Sequence, residues 1–509
     1  MTVIASVTQL ELPSWVDKKT SAFAIFLLIP IWYLLSGLWN LFFSSLRKVP
    51  GPILARFTRL WEVYHVWKGD LHLMYVDLHA KYGPVVRTGP NRYSVVRADD
   101  VAVIYALSSK FDKSPFFTAF TTPSHANLFT VGSNHVHAQK RRKIADLYSM
   151  TTVVAYEPQV DDMIALLVKK FTEFSNAKRT VSLPTMLLYF TFDVIGTVTI
   201  NSPFGLLESE HDVQDIIDSI HSFLDYGAVT GLLSEFHRPI FNTLSLIGRQ
   251  PRVMALFNFV LKQIEIHRAD GKVGHGNRKA ESFLSKSMDL VDSGKFDMND
   301  VFDVCAGNIG AGSDTTTVAI NAAIFYTYST PHVLKALRKE LDDAIANGRI
   351  SNPITFKEAQ SLPYLQAVVK EALRIHPPIG SQLSRVVPKG GAHLAGHFFP
   401  EGTEVGANGW AVHHGSHIFG DDAGEFKPER WLKTDQDGGN KLMFSFGAGA
   451  RTCIGKNISL LELTKAIPQI VLNFDIRHES TQKTPDSRYS WVVFMDYYSK
   501  ISPRAKSEE

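Results

Sequence analysis

From Ser21 to Ser45 the chain carries no charged residue. Such a run constrains the fold strongly, because in lipid every backbone N–H and C=O must be satisfied within the segment, and a helix does this. As a helix, AFAIFLLIPIWYLLSGLWNLFF would reach about 33 Å at 1.5 Å per residue, enough to cross the hydrocarbon core. Pro30 and Gly37 weaken a soluble helix but are tolerated in lipid, and Trp32, Tyr33 and Trp39 suit a membrane–water interface. A cleaved signal peptide is the competing reading, but its apolar stretch is shorter and ends at a small-residue cleavage site. Arg47, Lys48, Arg56 and Arg59 follow the run, against Lys18 and Lys19 before it, an asymmetry that favours a cytosolic body. The expected organisation is a lumenal segment over 1–20, a transmembrane anchor over 21–45, a basic, proline-containing hinge over 46–60, and a working domain over 61–509. In the hinge, the prolines of VPGP, Val49 to Pro52, stop the helix from running on.

Composition limits what that body can be. With 45% hydrophobic and 20% charged residues the chain reads neither as extensively disordered nor as a multi-span membrane protein. Its net charge of +3 is spread along the chain without Lys/Arg stripes, so no nucleic acid partner is expected. Two cysteines, Cys305 and Cys453, exclude a disulfide framework and a cysteine-rich zinc site, and suit a reducing compartment.

Along the body, Pro84–Thr88 and Arg92–Val96 are short β-favouring runs around Gly89-Pro90-Asn91, which predicts a hairpin. Apolar periodicity predicts helices over 156–176, 211–225, 251–268, 299–328, 331–347 and 363–375, giving a mostly α body with small β-sheets. Ala269 to Lys279, ADGKVGHGNRK, is polar and glycine-rich and reads as a surface loop.

Phe446 to Gly455 reads FGAGARTCIG, one cysteine among three glycines with Arg451 two residues before it. A thiolate ligand needs backbone N–H donors and a nearby cation, and glycines let the backbone come close. The plainer reading of a lone cysteine is a small buried hydrophobe. At every fixed spacing, however, Phe446, Gly449, Arg451, Cys453 and Gly455 resemble the haem-binding loop of the cytochrome P-450 family. The resemblance implies that Cys453 is the axial ligand of haem iron, that Arg451 meets a haem propionate, and that Phe446 packs beside the sulfur.

Further segments carry the same resemblance. In KEALRIHPP, Glu371 and Arg374 stand three apart on a helix, an arrangement that any surface ion pair can produce. FKPERW follows at the family's distance, and the resemblance implies that Arg430 joins Glu371 and Arg374 in a buried network beneath the haem loop. AGSDTT, Ala311 to Thr316, sets an acid and hydroxyls in an apolar helix. Back-bonding to carbonyls accounts for Thr316 and Thr317, whereas Asp314 and Thr315 resemble the family's oxygen-activating pair, which kinks the helix and supplies protons. His137 and Arg141 in HAQKRR resemble the propionate-contacting helix, with His in place of the Trp of many members; a solvated basic face is the other reading. Arg385 in LSRVVP is one more propionate candidate. KYGPVVRTGPNRYSV and FKPERWL resemble fungal microsomal members of the pisatin demethylase-like type, which mostly serve specialised metabolism.

The resemblance therefore implies a P-450 fold binding haem b, preceded by one N-terminal transmembrane helix, in the endoplasmic reticulum membrane with its catalytic domain facing the cytosol. The implied activity is monooxygenation: one atom of dioxygen enters an apolar small molecule, with electrons from NADPH arriving through the flavins of NADPH-cytochrome P-450 reductase. Membrane lipid, dioxygen, reductase and substrate are the expected partners. Two alternatives stay open, a haem-thiolate isomerase or dehydratase needing no reductase, and a haem-binding protein without turnover. Phe116, Phe117, Phe120, Ile309, Ala311, Ile379 and Phe494 are implied pocket walls by family position, and the aromatic ones equally suit a plain core.

Overall fold

The hairpin predicted near the start of the body forms from Val85–Gly89 (β1) and Arg92–Val95 (β2), paired antiparallel with Val85 opposite Val95. Every residue of both strands is buried, as suits a sheet covered on both faces. The computed structural model describes residues 31, 34–247, 253–269, 281–432, 442–479 and 484–505. Three more strands complete this sheet: Asp112–Lys113 (β3), Arg385–Val386 (β4) and Glu404–Gly406 (β5), in the order β1-β2-β5-β4-β3. The register sets Lys113 opposite Arg385, and so brings two cations from distant sequence side by side.

Helices dominate the rest. Asn134–Ile144 (α1) is the basic helix. Leu183–Ile200 (α2), Ile216–Leu232 (α3) and Met298–Ser329 (α4) build the centre. α4 starts at a capping box in which Asp297 accepts from the N–H groups of Asn299 and Asp300 while the Asp300 side chain accepts from Asp297 N–H. It stops at Thr330, ahead of Pro331, because the residue before proline is pushed out of the helical region. α4 stays α-helical through Asp314 and Thr315. Pro363–Ile375 (α5) carries Glu371 and Arg374, and Lys456–Asn473 (α6) follows the cysteine loop. Asp486–Ser490 (β6) and Val492–Asp496 (β7) form a second hairpin.

Periodicity missed α2 and α6. α2 packs along α4 and buries Phe190, Phe192, Val194, Ile195 and Val198 together with Thr191, Asp193, Thr197 and Thr199, so it has no solvent-facing polar stripe to mark it. Among the described residues α2 is the helix long and apolar enough to cross a membrane, and it lies in the core. α6 buries Glu462, Lys465 and Gln469 along with its apolar residues and holds Pro468 inside, which blurs the amphipathic signal.

Most of the expected anchor lies outside the described residues, as does the loop over 270–279. Residues 34–42 are helical and expose Leu34, Leu35, Trp39 and Phe42. The hinge is docked onto the body. Arg87 N–H donates to Pro50 O at 2.7 Å, its guanidinium reaches Leu46 O, and a Cβ at Gly51 would meet Arg87 O at 2.4 Å.

Candidate active site

The cysteine loop is folded by its own backbone. Gly447 and Gly449 have φ of +69° and +66°, in the left-handed region that favours glycine. A Cβ on Gly449 would also stand 1.9 Å from Tyr105 O. Cys453 N–H donates to Phe446 O at 2.8 Å and closes the loop, while Ser445 Oγ donates to Leu373 O and pins its start to α5. Cys453 is accessible to solvent although protein packs closely around its sulfur. That burial raises the thiol above its ordinary value, and the N–H groups of Gly455 and Lys456 and the Arg141 guanidinium pull it back. Cys305 differs: it is fully buried in α4 and burial pushes its thiol up to about 12, which leaves it inert.

Around this loop the sequence-predicted cations converge. Arg451 donates to Asn134 Oδ1 and Val131 O, both at 2.8 Å, and to Gly132 O. Arg141 donates to Thr452 O at 2.7 Å, and Arg385 to Leu383 O and Ser384 O. His137 is buried among them. Desolvation, then Arg451, Arg141, Lys113 and Arg385, hold its imidazole down to about 3. Desolvation and Arg385 lower Arg451 to about 10, although Asp112 acts against them. Lys113 escaped sequence reasoning, since a lone lysine in a two-residue strand carries no motif. Its amine sits over the Phe117 and Phe129 rings and is held well below its ordinary value by burial, Arg385 and Arg451. Cations crowded in this way repel one another, and a ligand with two carboxylates would relieve the cost.

The network under the loop is fully connected. Glu371, fully buried, accepts from Arg374 Nε and Nη2, Arg430 Nε, Trp431 Nε1 and Lys427 N–H, all at 2.8–2.9 Å. Arg374, also fully buried, donates onward to the carbonyls of His413, Ala423 and Glu425.

On α4, Gly307 and Ala311 are exposed and Thr315 is half-buried; they are four apart and share one face, flanked by the half-buried Gly310 and Gly312. Thr315 Oγ1 donates to Ala311 O at 2.9 Å, the same back-bond that Thr317 makes to Ser313 O. Asp314 is 1% exposed and takes a hydrogen bond from His221. Tyr148, which no motif marks, ties α4 to the helix after the loop: its hydroxyl donates to Asn308 Oδ1 at 2.6 Å and its carbonyl accepts from Asn457.

The structure separates the expected pocket walls. Ala311 is exposed and Ile379 and Phe494 are half-buried, whereas Ile309 is fully buried in the core. Phe116, Phe117 and Phe120 are buried against Trp491 with ring centroids 4.7–5.9 Å away.

Comparison with known proteins agrees with this geometry. The family model described as Cytochrome P450 matches residues 49–499. A pisatin demethylase of Fusarium vanettenii is 38% identical over 98% of this chain and 99% of its own length. The cytochrome P450 monooxygenase gsfF of Penicillium aethiopicum is 31% identical over 90% of this chain and 92% of its own, and cicH of Emericella nidulans is 32% identical over 90% and 94%. With a glycine-built cysteine loop, a cluster of cations beside it and a small-residue face on α4, the chain belongs to the cytochrome P450 family.

Proposed function

We propose that this oxygen-incorporating oxidoreductase is a haem-thiolate monooxygenase in which Cys453 Sγ would hold the iron of haem b. The observation that carries the reading is the pairing of one accessible cysteine, whose sulfur receives the N–H groups of Gly455 and Lys456, with the basic cluster of Lys113, Arg141, Arg385 and Arg451 packed around the His137 imidazole. Haem, when bound, supplies dioxygen activation. The Gly455 and Lys456 amides and Arg141 would stabilise the thiolate, and the basic cluster would hold the propionates. Thr315 Oγ1 and the Asp314 carboxylate would hold and pass the protons that the reaction consumes. Ala311, Ile379 and Phe494 border the substrate, an apolar small molecule whose burial excludes water.

Electrons would come from NADPH through a flavoprotein reductase. Demethylation, named in the Fusarium vanettenii relatives, puts methylated apolar molecules first among candidates, in fungal specialised metabolism. We further propose attachment to the endoplasmic reticulum membrane through residues 21–45, with the catalytic domain in the cytosol. The apolar side chains exposed on helix 34–42 support this. Deleting residues 1–45 should then release a soluble protein that still binds haem, and failure of that protein to fold would assign the segment to the core.

The deciding experiment is the carbon monoxide difference spectrum of the reduced protein, followed by product formation with reductase and NADPH. Cys305→Ala should keep the thiolate band and Cys453→Ala should lose it. A Cys453→Ala protein that retained the band would overturn the ligand assignment.

A further inference from the structure

Beyond the cysteine loop, a cleft of about 380 Å³ lies between α3 and the β6–β7 hairpin, lined among others by His221, Asp225, Asp486, Arg488, Phe494 and Asp496. Asp486, Arg488 and Asp496 are exposed, so the cleft meets solvent. At its inner end His221 Nε2 donates to Asp314 Oδ1 at 3.1 Å. The two side chains differ sharply in access to water: Asp314 is 1% exposed and His221 30%. Asp314 Oδ2 is buried and takes no hydrogen bond among the described residues.

A carboxylate sealed from water in an apolar helix needs a neighbour to exchange protons with solvent, and a titratable neighbour can carry the proton by itself. We propose that His221 is that neighbour, a positioning residue that relays protons from the cleft to Asp314. This inference rests on the reading of Asp314 as a proton carrier. Lysine or arginine at this position would hold the carboxylate but stay charged at neutral pH, whereas imidazole both holds and titrates. Cleft water protonates the ring; as imidazolium it passes the Nε2 proton to Asp314 Oδ1. The neutral ring then swings its Nε2 to the cleft, takes a proton from water and returns. One proton moves per cycle and no electron does. The Phe494 ring, 4.7 Å from the imidazole, walls this path.

The charged groups that face His221 are mostly acidic: Asp314 from α4, Asp225 on α3, Asp212 before it, and Asp486 and Asp496 from the hairpin, with Arg488 the basic exception. Burial lowers the imidazole pKa, but Asp314, Asp225 and Asp212 together outweigh it and raise the value above that of a free histidine. The relay therefore stays charged to higher pH than a free histidine would and fails as pH rises through the raised pKa.

The test uses the full-length holoenzyme with reductase, 7-methoxycoumarin as an apolar methylated probe, and the variants His221→Gln and Asp314→Asn. NADPH oxidation and peroxide release are followed against pH, and histidine ring NMR reports the His221 titration independently of turnover. His221→Gln, which keeps a donor but cannot titrate, should slow NADPH oxidation on the order of ten-fold and remove the fall of wild-type rate at alkaline pH. In Asp314→Asn the His221 pKa should drop. A slow Asp314→Asn beside a His221→Gln of unchanged rate and pH profile would overturn the relay and leave the Asp314 reading standing. An Asp314→Asn with full rate and coupling would overturn both. Identical His221 titration in wild type and Asp314→Asn would also overturn the relay.

Discussion

The backbone N–H of Phe444 donates to Nε2 of His413 at 2.9 Å, so this fully buried imidazole must be neutral where it meets the strand of chain leading into the cysteine loop. The same residue's carbonyl accepts from Arg374 Nη1 at 2.9 Å. His413 thus links the Glu371–Arg374–Arg430 network to the loop: the network holds the backbone of His413, and His413 holds Phe444 two residues before Phe446.

Acid should therefore detach the loop before it unfolds secondary structure generally. Burial and Arg374 hold His413 down to about 3, and burial holds His72 to about 3 and His376 and His414 to about 4. In the unfolded chain each protonates near 6.5, so between that value and the folded one the unfolded state binds more protons. Stability is then complete above pH ~6.5 and falls toward pH ~4, by roughly 1.4 kcal/mol per pH unit per histidine. Thermal melts from pH 8 to pH 4.5 should show this slope, and His413→Gln, whose amide oxygen can accept from Phe444 N–H without protonating, should keep the thiolate band to lower pH than wild type. A flat stability profile over that range would contradict the neutral assignments.

Glu371→Gln should cost far more than a surface charge. It removes the anion facing two guanidiniums, Arg374 and Arg430, that are 0% and 6% exposed. Breaking a buried pair costs about 3–5 kcal/mol, against about 0–1 kcal/mol for an exposed one such as Lys339–Asp343. Denaturant midpoints of Glu371→Gln and Asp343→Asn, measured side by side, check the contrast.

Gly449→Ala should abolish haem binding with little effect on helix content. The added Cβ would overlap Tyr105 O, a backbone atom that cannot rotate away, and φ of +66° is strained for alanine. Gly424→Ala, where a Cβ meets nothing within 4 Å, is the matched control. Far-ultraviolet dichroism and haem content of the two variants separate a local loop defect from global misfolding.

The sequence made some of this legible for identifiable reasons. The hairpin around Gly89-Pro90-Asn91 and the six periodic helices follow local rules of turn chemistry and amphipathic spacing. The loop that carries Cys453 and Arg451 stands out because its spacing is fixed within one short segment. α2 does not, because a helix buried on every side has no polar stripe. Lys113, Tyr148 and His221 act through partners more than 90 residues away, Arg385, Asn308 and Asp314, and no local pattern encodes a contact that only β3–β4 pairing or helix packing creates. Ile309 was placed on the pocket by family position, yet the helical repeat sets it off the face shared by Gly307, Ala311 and Thr315.

Thr315 and Thr317 offer the sharpest test of which hydroxyl serves chemistry, because their local geometry is the same. Each donates to the carbonyl four residues back at 2.9 Å, so loss of either bond removes the same helical contact. They differ in surroundings: Thr317 is buried and its hydroxyl meets Thr191 of α2, whereas Thr315 is half-buried on the face that carries Gly307 and Ala311. Thr317→Val leaves the Thr191 hydroxyl without that partner, and should lower stability by about 1–3 kcal/mol with product per NADPH unchanged. Thr315→Ala should leave stability within about 1 kcal/mol and haem content normal, yet divert NADPH into hydrogen peroxide, because a proton donor on the open face is lost. Thr315→Ser, which restores the hydroxyl, should restore coupling. Product, peroxide and NADPH measured together for the three variants at matched haem content decide the matter. If Thr315→Ala stays fully coupled while Thr317→Val does not, the proton path runs along the α2 side of α4 instead.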